Sequence, residues 1–151
     1  MAGVRWSLAR KSIEGIAQEV EALGSPELLT DILNAVGAHL MIVTDERFTA
    51  QEGPDVVTQE VKKWPKLSDV YLKKRPDRRN RPILTDTGRL RDSVVYEVSQ
   101  PRLYWGTNVI YAAVHQFGFQ QIPSRPYLGL SAEDEQEIAG IIDTWLKRNL
   151  D

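Results

Sequence analysis

Apolar residues first recur at three- and four-residue steps in Trp6, Ala9, Ile13, Ile16, Ala17, Val20 and Leu23. That spacing places them on one stripe of an amphipathic helix, which Gly24 ends. Ser25-Pro26-Glu27 then supplies a capping oxygen, a proline whose missing N–H is harmless in a first turn, and an acid favoured by the helix dipole. Leu29, Ile32, Leu33, Val36, Leu40 and Val43 form the stripe of a second helix. The short joint predicts that the two pack as an antiparallel hairpin. From about residue 45 to 82 the periodicity disappears, and Gly53-Pro54, Trp64-Pro65, Arg75-Pro76 and Arg81-Pro82 punctuate a polar, increasingly basic run. This predicts a long loop or arm, ordered by a partner or disordered alone.

Periodicity returns with a different step. Thr85-Asp86-Thr87 can cap a helical turn from Gly88 to Asp92, and Ser93–Val98 alternates as a strand with Val94, Tyr96 and Val98 on one face. Pro101 makes the turn and Arg102–Thr107 the returning strand. Beyond Asn108, a candidate cap, Ile110, Ala113, Val114 and Phe117 line one side of a short helix that Gly118 ends. Ile122–Leu128 cannot be helical at Pro123 and Pro126 and reads as extended. Ser131 with Asp134 opens the last helix, whose stripe is Ile138, Ile141, Ile142, Trp145 and Leu146. The expected fold is α+β: an N-terminal helical hairpin, a small antiparallel β-sheet, a short helix and a C-terminal amphipathic helix packed on the sheet. One domain is expected over residues 1–151, a length that can bury about 70% of the unfolded chain's surface.

Charge changes this picture most. The chain carries a net charge of −2, yet residues 62–91 hold 11 of its 19 Lys and Arg and only 3 of its 21 Asp and Glu. That segment is therefore +8 and the remainder −10, a basic arm on an acidic body that suits a polyanion or the acidic face of a protein. Absence of cysteine removes disulfides and thiolate chemistry. No apolar run approaches the roughly 18 residues needed to span a bilayer, so no membrane partner is expected.

The search for chemistry returns no catalytic, cofactor-binding or metal residues. His39 and His115 lack a second ligand at metal-site spacing, and Gly88 stands alone without a phosphate-loop pattern. Glu133, Asp134 and Glu135 are accounted for by their place at a helix start. The residues that remain are contact candidates: Trp64 and Leu67; Lys73, Lys74, Arg75, Arg78, Arg79 and Arg81 in the arm; Gly88 and Arg89; Tyr111, His115, Phe117 and Gly118; and Arg125 and Tyr127. Trp64 and Leu67 either tuck onto the core or anchor a partner. Arg125, set between prolines, suits bidentate pairing that locks its own loop or meets a partner.

Trp64-x-x-Leu67, then Ile83–Ser93, then Trp105–Asn108 running into Tyr111–Gly118, then Ile122–Gly129, taken in that order, resemble the tailed-phage virion morphogenesis and tail completion family carried by Mu-like phages and prophages. The similarity covers nearly the whole chain. It departs at Gly53-Pro54-Asp55 and the residues after it, where a glycine directly before the tryptophan segment is expected. The resemblance implies a structural protein of the neck or tail end with no enzyme activity and no cofactor, found in the virion and, during assembly, in the host bacterial cytoplasm. It further implies partners among portal or connector, tail terminator and tail tube proteins, and self-association into a ring such as a hexamer. Residues alone leave a second class open, a nonspecific nucleic-acid-binding module whose basic 62–91 segment grips phosphates, with DNA contact through the arm.

Overall fold

The computed structural model describes residues 25–150 together with Gln18. The first expected helix, Trp6 to Leu23, and with it the helical hairpin, lies outside the described residues. The elements in order are α1 (Pro26–Ala50), β1 (Glu52–Pro54), β2 (Val61–Lys63), α2 (Asp69–Lys74), a 3₁₀ turn (Pro76–Arg78), α3 (Arg89–Asp92), β3 (Val95–Ser99), β4 (Arg102–Gly106), α4 (Ala112–Phe117) and α5 (Ala132–Leu150). Helices around small antiparallel hairpins make the α+β class.

Helix α1 organises the rest. Ser25 Oγ accepts the Leu28 N–H at 3.3 Å and Pro26 occupies the first turn, as a capping residue and an N-terminal proline should. Leu28, Ile32, Val36, Leu40 and Val43 are buried, whereas Leu29 and Leu33 lie at the edge of the stripe. The helix also runs past Thr44, into the stretch expected to be loop. Thr44 spends its hydroxyl on Leu40 C=O at 2.7 Å, Arg47 and Phe48 continue the buried face, and Gln51 closes the helix in a left-handed conformation at φ 56°. Buried polar side chains at those positions hide a helical stripe from any hydropathy pattern. Over 18 residues α1 reaches a mean hydropathy of 1.3, long and apolar enough to cross a membrane, but its apolar face is covered by α5 and the β3–β4 hairpin.

The expected 45–82 arm is largely ordered. β1 and β2 pair antiparallel, with Glu52 opposite Lys63 and Pro54 opposite Val61. Their connection is closed by Asp55 Oδ1, which accepts the Val57 and Thr58 N–H groups at 2.9 Å each, an Asx turn. Ser68 Oγ caps α2 by accepting the Tyr71 N–H at 3.2 Å. Elements of three to six residues held by side-chain-to-backbone bonds are too short to show periodicity, which is why the stretch reads as a loop.

β3 and β4 form a second two-stranded ladder, Val95 opposite Gly106 through Ser99 opposite Arg102, so the single small sheet is two separate hairpins. Val94, Tyr96 and Val98 face inward as expected. The ring of Tyr96 lies directly over Gly37, where a Cβ on α1 would overlap it. Helix α5 begins with a reciprocal capping box, Asp134 N–H to Ser131 Oγ at 3.1 Å and Ser131 N–H to Asp134 Oδ2 at 2.7 Å. Its buried Ile138, Ile142 and Leu146 pack on α1 rather than on a sheet, because the unbroken stripe of α1 offers more apolar area than a two-stranded hairpin. Each such side chain contributes about 1.5–3 kcal/mol on burial.

Candidate functional site

A groove of about 1060 Å³ lies between α2 and the Arg81–Leu90 segment on one side and α4 with Gln121–Arg125 on the other. Six cations line it, Lys66, Lys74, Arg78, Arg81, Arg89 and Arg125, against one carboxylate, Asp86. Leu67, Val70, Tyr71, Ile83, Leu84 and Tyr111 supply apolar lining between them.

Arg125 is built into the groove by two chain segments. It is 4% exposed; its Nε donates to Pro65 C=O at 2.7 Å and its Nη2 to Lys66 C=O at 3.0 Å. The Arg125 N–H donates to His115 C=O at 2.7 Å, so one residue ties the base of the arm to α4. Arg78, also buried, sits between Asp77 at 3.3 Å and Asp86. His115 lines the wall, with Nδ1 buried and unpartnered. Its burial, and then the Arg125 charge, hold its pKa below the usual imidazole value.

The segment carrying Arg125 is held by a residue outside the sequence candidates. Gln116, 1% exposed, accepts the Tyr127 and Leu128 N–H groups on Oε1 at 3.1 and 3.0 Å and donates Nε2 to Leu128 C=O at 2.9 Å. Ser124 Oγ donates to Gln116 C=O at 2.7 Å. This reverses the expected face of α4. Ala112 and Gln116 point inward, while Ile110 and Phe117 are 97% and 52% exposed, because the amide supplies backbone partners that an apolar side chain cannot. Asn108 is likewise not the cap; Tyr111 holds that position without a side-chain bond. Ahead of α3, Thr87 Oγ1 accepts the Arg89 N–H at 3.3 Å.

Of the sequence candidates, Leu67, Lys74, Arg78, Arg81, Gly88, Arg89, Tyr111, His115 and Arg125 come together in the groove. Lys73, Arg75 and Arg79 are exposed outside it, Arg75 in a two-point pair with Asp77 at 3.0 Å. Trp64 is taken into the core, edge-on to Phe48 at 5.5 Å, with Nε1 donating to Pro126 C=O at 2.8 Å. Tyr127, 1% exposed, donates its hydroxyl to Ala112 C=O at 3.1 Å, and burial raises its pKa out of reach. Gly118 ends α4 at φ 77°, a left-handed conformation that favours glycine. Beneath the segment, Arg47 donates to Tyr127 C=O at 3.0 Å and to Asp134 at 2.6 Å. Arg47 and Gln116 carry no motif; Arg47 is marked only as a polar residue at a stripe position, and Gln116 lies off the expected stripe. Among the described residues, no three His, Asp or Glu side chains gather as metal ligands.

The four stretches that carry the family resemblance surround this groove. Residues 8–147 match the sequence profile of the phage virion morphogenesis family. The chain belongs to that family. It is 32% identical over 136 residues to the putative capsid assembly protein G of Escherichia phage Mu, covering 83% of this chain and 85% of that protein. A shorter match, 40% identical over 62 residues, is to the Mu-like prophage FluMu G protein 2 of Haemophilus influenzae, covering 36% of this chain and 45% of that protein. No solved structure matches significantly. Membership of the virion morphogenesis family gives the chain a structural role in phage assembly.

Proposed function

We propose that this protein is a single-domain subunit of tail completion and head-to-tail joining, acting through protein–protein contacts and without enzyme chemistry. The observation that carries the reading is the convergence of four sequence-distant stretches, around Leu67, Ile83–Leu90, Tyr111–His115 and Ile122–Arg125, on one basic and apolar groove. A groove of that character is a docking surface for a neighbouring protein. Head-to-tail contacts between unlike faces close into rings when the rotation permits, and in this reading the protein self-associates into such a ring, hexameric where it meets the tail, through surfaces outside the groove. Portal or connector, tail terminator and tail tube proteins are the partners in this reading. The protein then resides at the neck or tail end of the virion, after assembly in the host bacterial cytoplasm.

The Mu relative is named for capsid assembly, which makes the step itself the point to test. Deletion of the gene from its phage, followed by electron microscopy of the lysate, separates the steps. Full heads and finished tails lying apart support joining. Empty heads or missing tails place the protein earlier, and intact infectious particles refute an assembly role.

A second reading is favoured by the excess of groove cations over Asp86. In it the basic segment grips nucleic-acid phosphates, and duplex DNA affinity falls by orders of magnitude from low to moderate salt. Absence of DNA binding at low salt removes that reading.

A further inference from the structure

We infer that the groove is a receptor for an acidic protein segment bearing apolar side chains, contributed by another virion protein; this rests on the docking role proposed above. Charge is the first ground. Among the described residues, Lys66, Lys74, Arg81 and Arg89 have no carboxylate within ion-pair distance, although 21 Asp and Glu are present in the chain. Cations left uncompensated around a concave, partly apolar surface attract and orient a segment rich in Asp or Glu. Two buried guanidinium groups, Arg78 and Arg125, underlie the same surface. Arg78 is already paired with Asp77 and Asp86, whereas Arg125 bonds only carbonyl oxygens and so leaves a fixed positive charge beneath the groove.

Apolar exposure decides the class of ligand. Val70, Tyr71 and Ile122 line the groove yet are 68%, 41% and 42% exposed, and the wall at Tyr111 adjoins Ile110, which is 97% exposed. A nucleic-acid backbone presents phosphate and sugar and leaves such side chains uncovered. An acidic segment with Leu or Phe side chains covers them while meeting the cations, as the core and rim of protein interfaces do. At about 1060 Å³ the space also exceeds what most small-molecule sites occupy, and a short peptide suits it.

The test uses the purified full-length chain and fluorescence anisotropy with four labelled probes. These are a short peptide alternating Glu with Leu and Phe, a Glu/Ser peptide of equal charge without apolar residues, a Gln/Leu/Phe peptide without charge, and a duplex DNA fragment. The first probe is expected to bind at least about tenfold more tightly than each of the others. Arg81→Glu/Arg89→Glu, two exposed side chains outside any ion pair among the described residues, is expected to weaken it at least about tenfold with an unchanged melting curve. Equal binding of the Glu/Ser peptide or of DNA overturns the inference, as does full affinity in the double variant. Concentration-dependent dimers that the double variant abolishes also overturn it, by assigning the groove to a second copy. The joining role fails on a different readout: if deleted phage still yields joined particles while the acidic peptide binds, the recognition stands and the step assigned to it falls.

Discussion

Replacing Gln116 by Leu removes an amide that satisfies three buried backbone groups, the N–H groups of Tyr127 and Leu128 and the carbonyl of Leu128. Side-chain volume changes little, so the loss is polar rather than a cavity. An orphaned buried donor or acceptor costs about 1–3 kcal/mol, and three of them, with partial relaxation, give an expected destabilisation of about 3–6 kcal/mol. That is a large fraction of the roughly 5–15 kcal/mol that holds an ordinary domain together. For a chain of this size it corresponds to a melting temperature lower by about 10–20 °C. Urea unfolding followed by tryptophan fluorescence measures the effect, since Trp64 and Trp105 are both buried. Gln121→Ala, on an exposed side chain of the same loop, is the control and is expected to change stability by less than about 0.5 kcal/mol. If Gln116→Leu unfolds within about 1 kcal/mol of the wild type, the segment bearing Arg125 is not held by this amide, and the account of how the groove floor is fixed is wrong.

Arg47→Met leaves Asp134 buried without its cation; a loss of about 3–5 kcal/mol is expected by urea unfolding, with Arg47→Met/Asp134→Asn losing less than the sum of the single variants. Gly53→Ala places a Cβ into the Pro126 carbonyl and should cost about 1–3 kcal/mol, with a change in Trp64 emission because the indole bonds the same oxygen. Burial and Arg125 depress the folded-state pKa of His115 below its ordinary 6.5, so its contribution to stability is full above that value and lost as pH falls through the window beneath it. Thermal melts should show the wild type losing more stability than His115→Gln on acidification through that window, and parallel curves for the two would refute the assignment.

Elements that repeat a local rule are legible in the sequence. Ser131 and Asp134 stand at capping-box spacing and make both bonds; Val94, Tyr96 and Val98 alternate and face inward. Legibility fails where a polar side chain serves as core. Arg47 occupies a stripe position on α1, and its charge masks the continuation of the helix. Gln116 serves as core off the expected stripe of α4, where the apolar Ile110 and Phe117 draw the stripe to the wrong face. The groove is half legible: its cations crowd one stretch of sequence, but the wall opposite comes from α4 and Gln121–Arg125, brought there by the carbonyls of Pro65 and Lys66 accepting from Arg125. Gly37, in mid-helix, is the local sign that a ring settles on α1.

Trp64, Pro65 and Lys66 are each fastened to Arg125 or Pro126, one through an indole N–H and two through a guanidinium. A residue inserted among those three shifts the bonding register and breaks every fastening at once. Inserted residues at the Val56–Gln59 hairpin tip meet only the local turn held by Asp55. The chain thereby contrasts a stretch whose length is pinned to a distant segment with one whose length is set by its own turn alone, and a change in reach toward a partner is accommodated more readily at the latter.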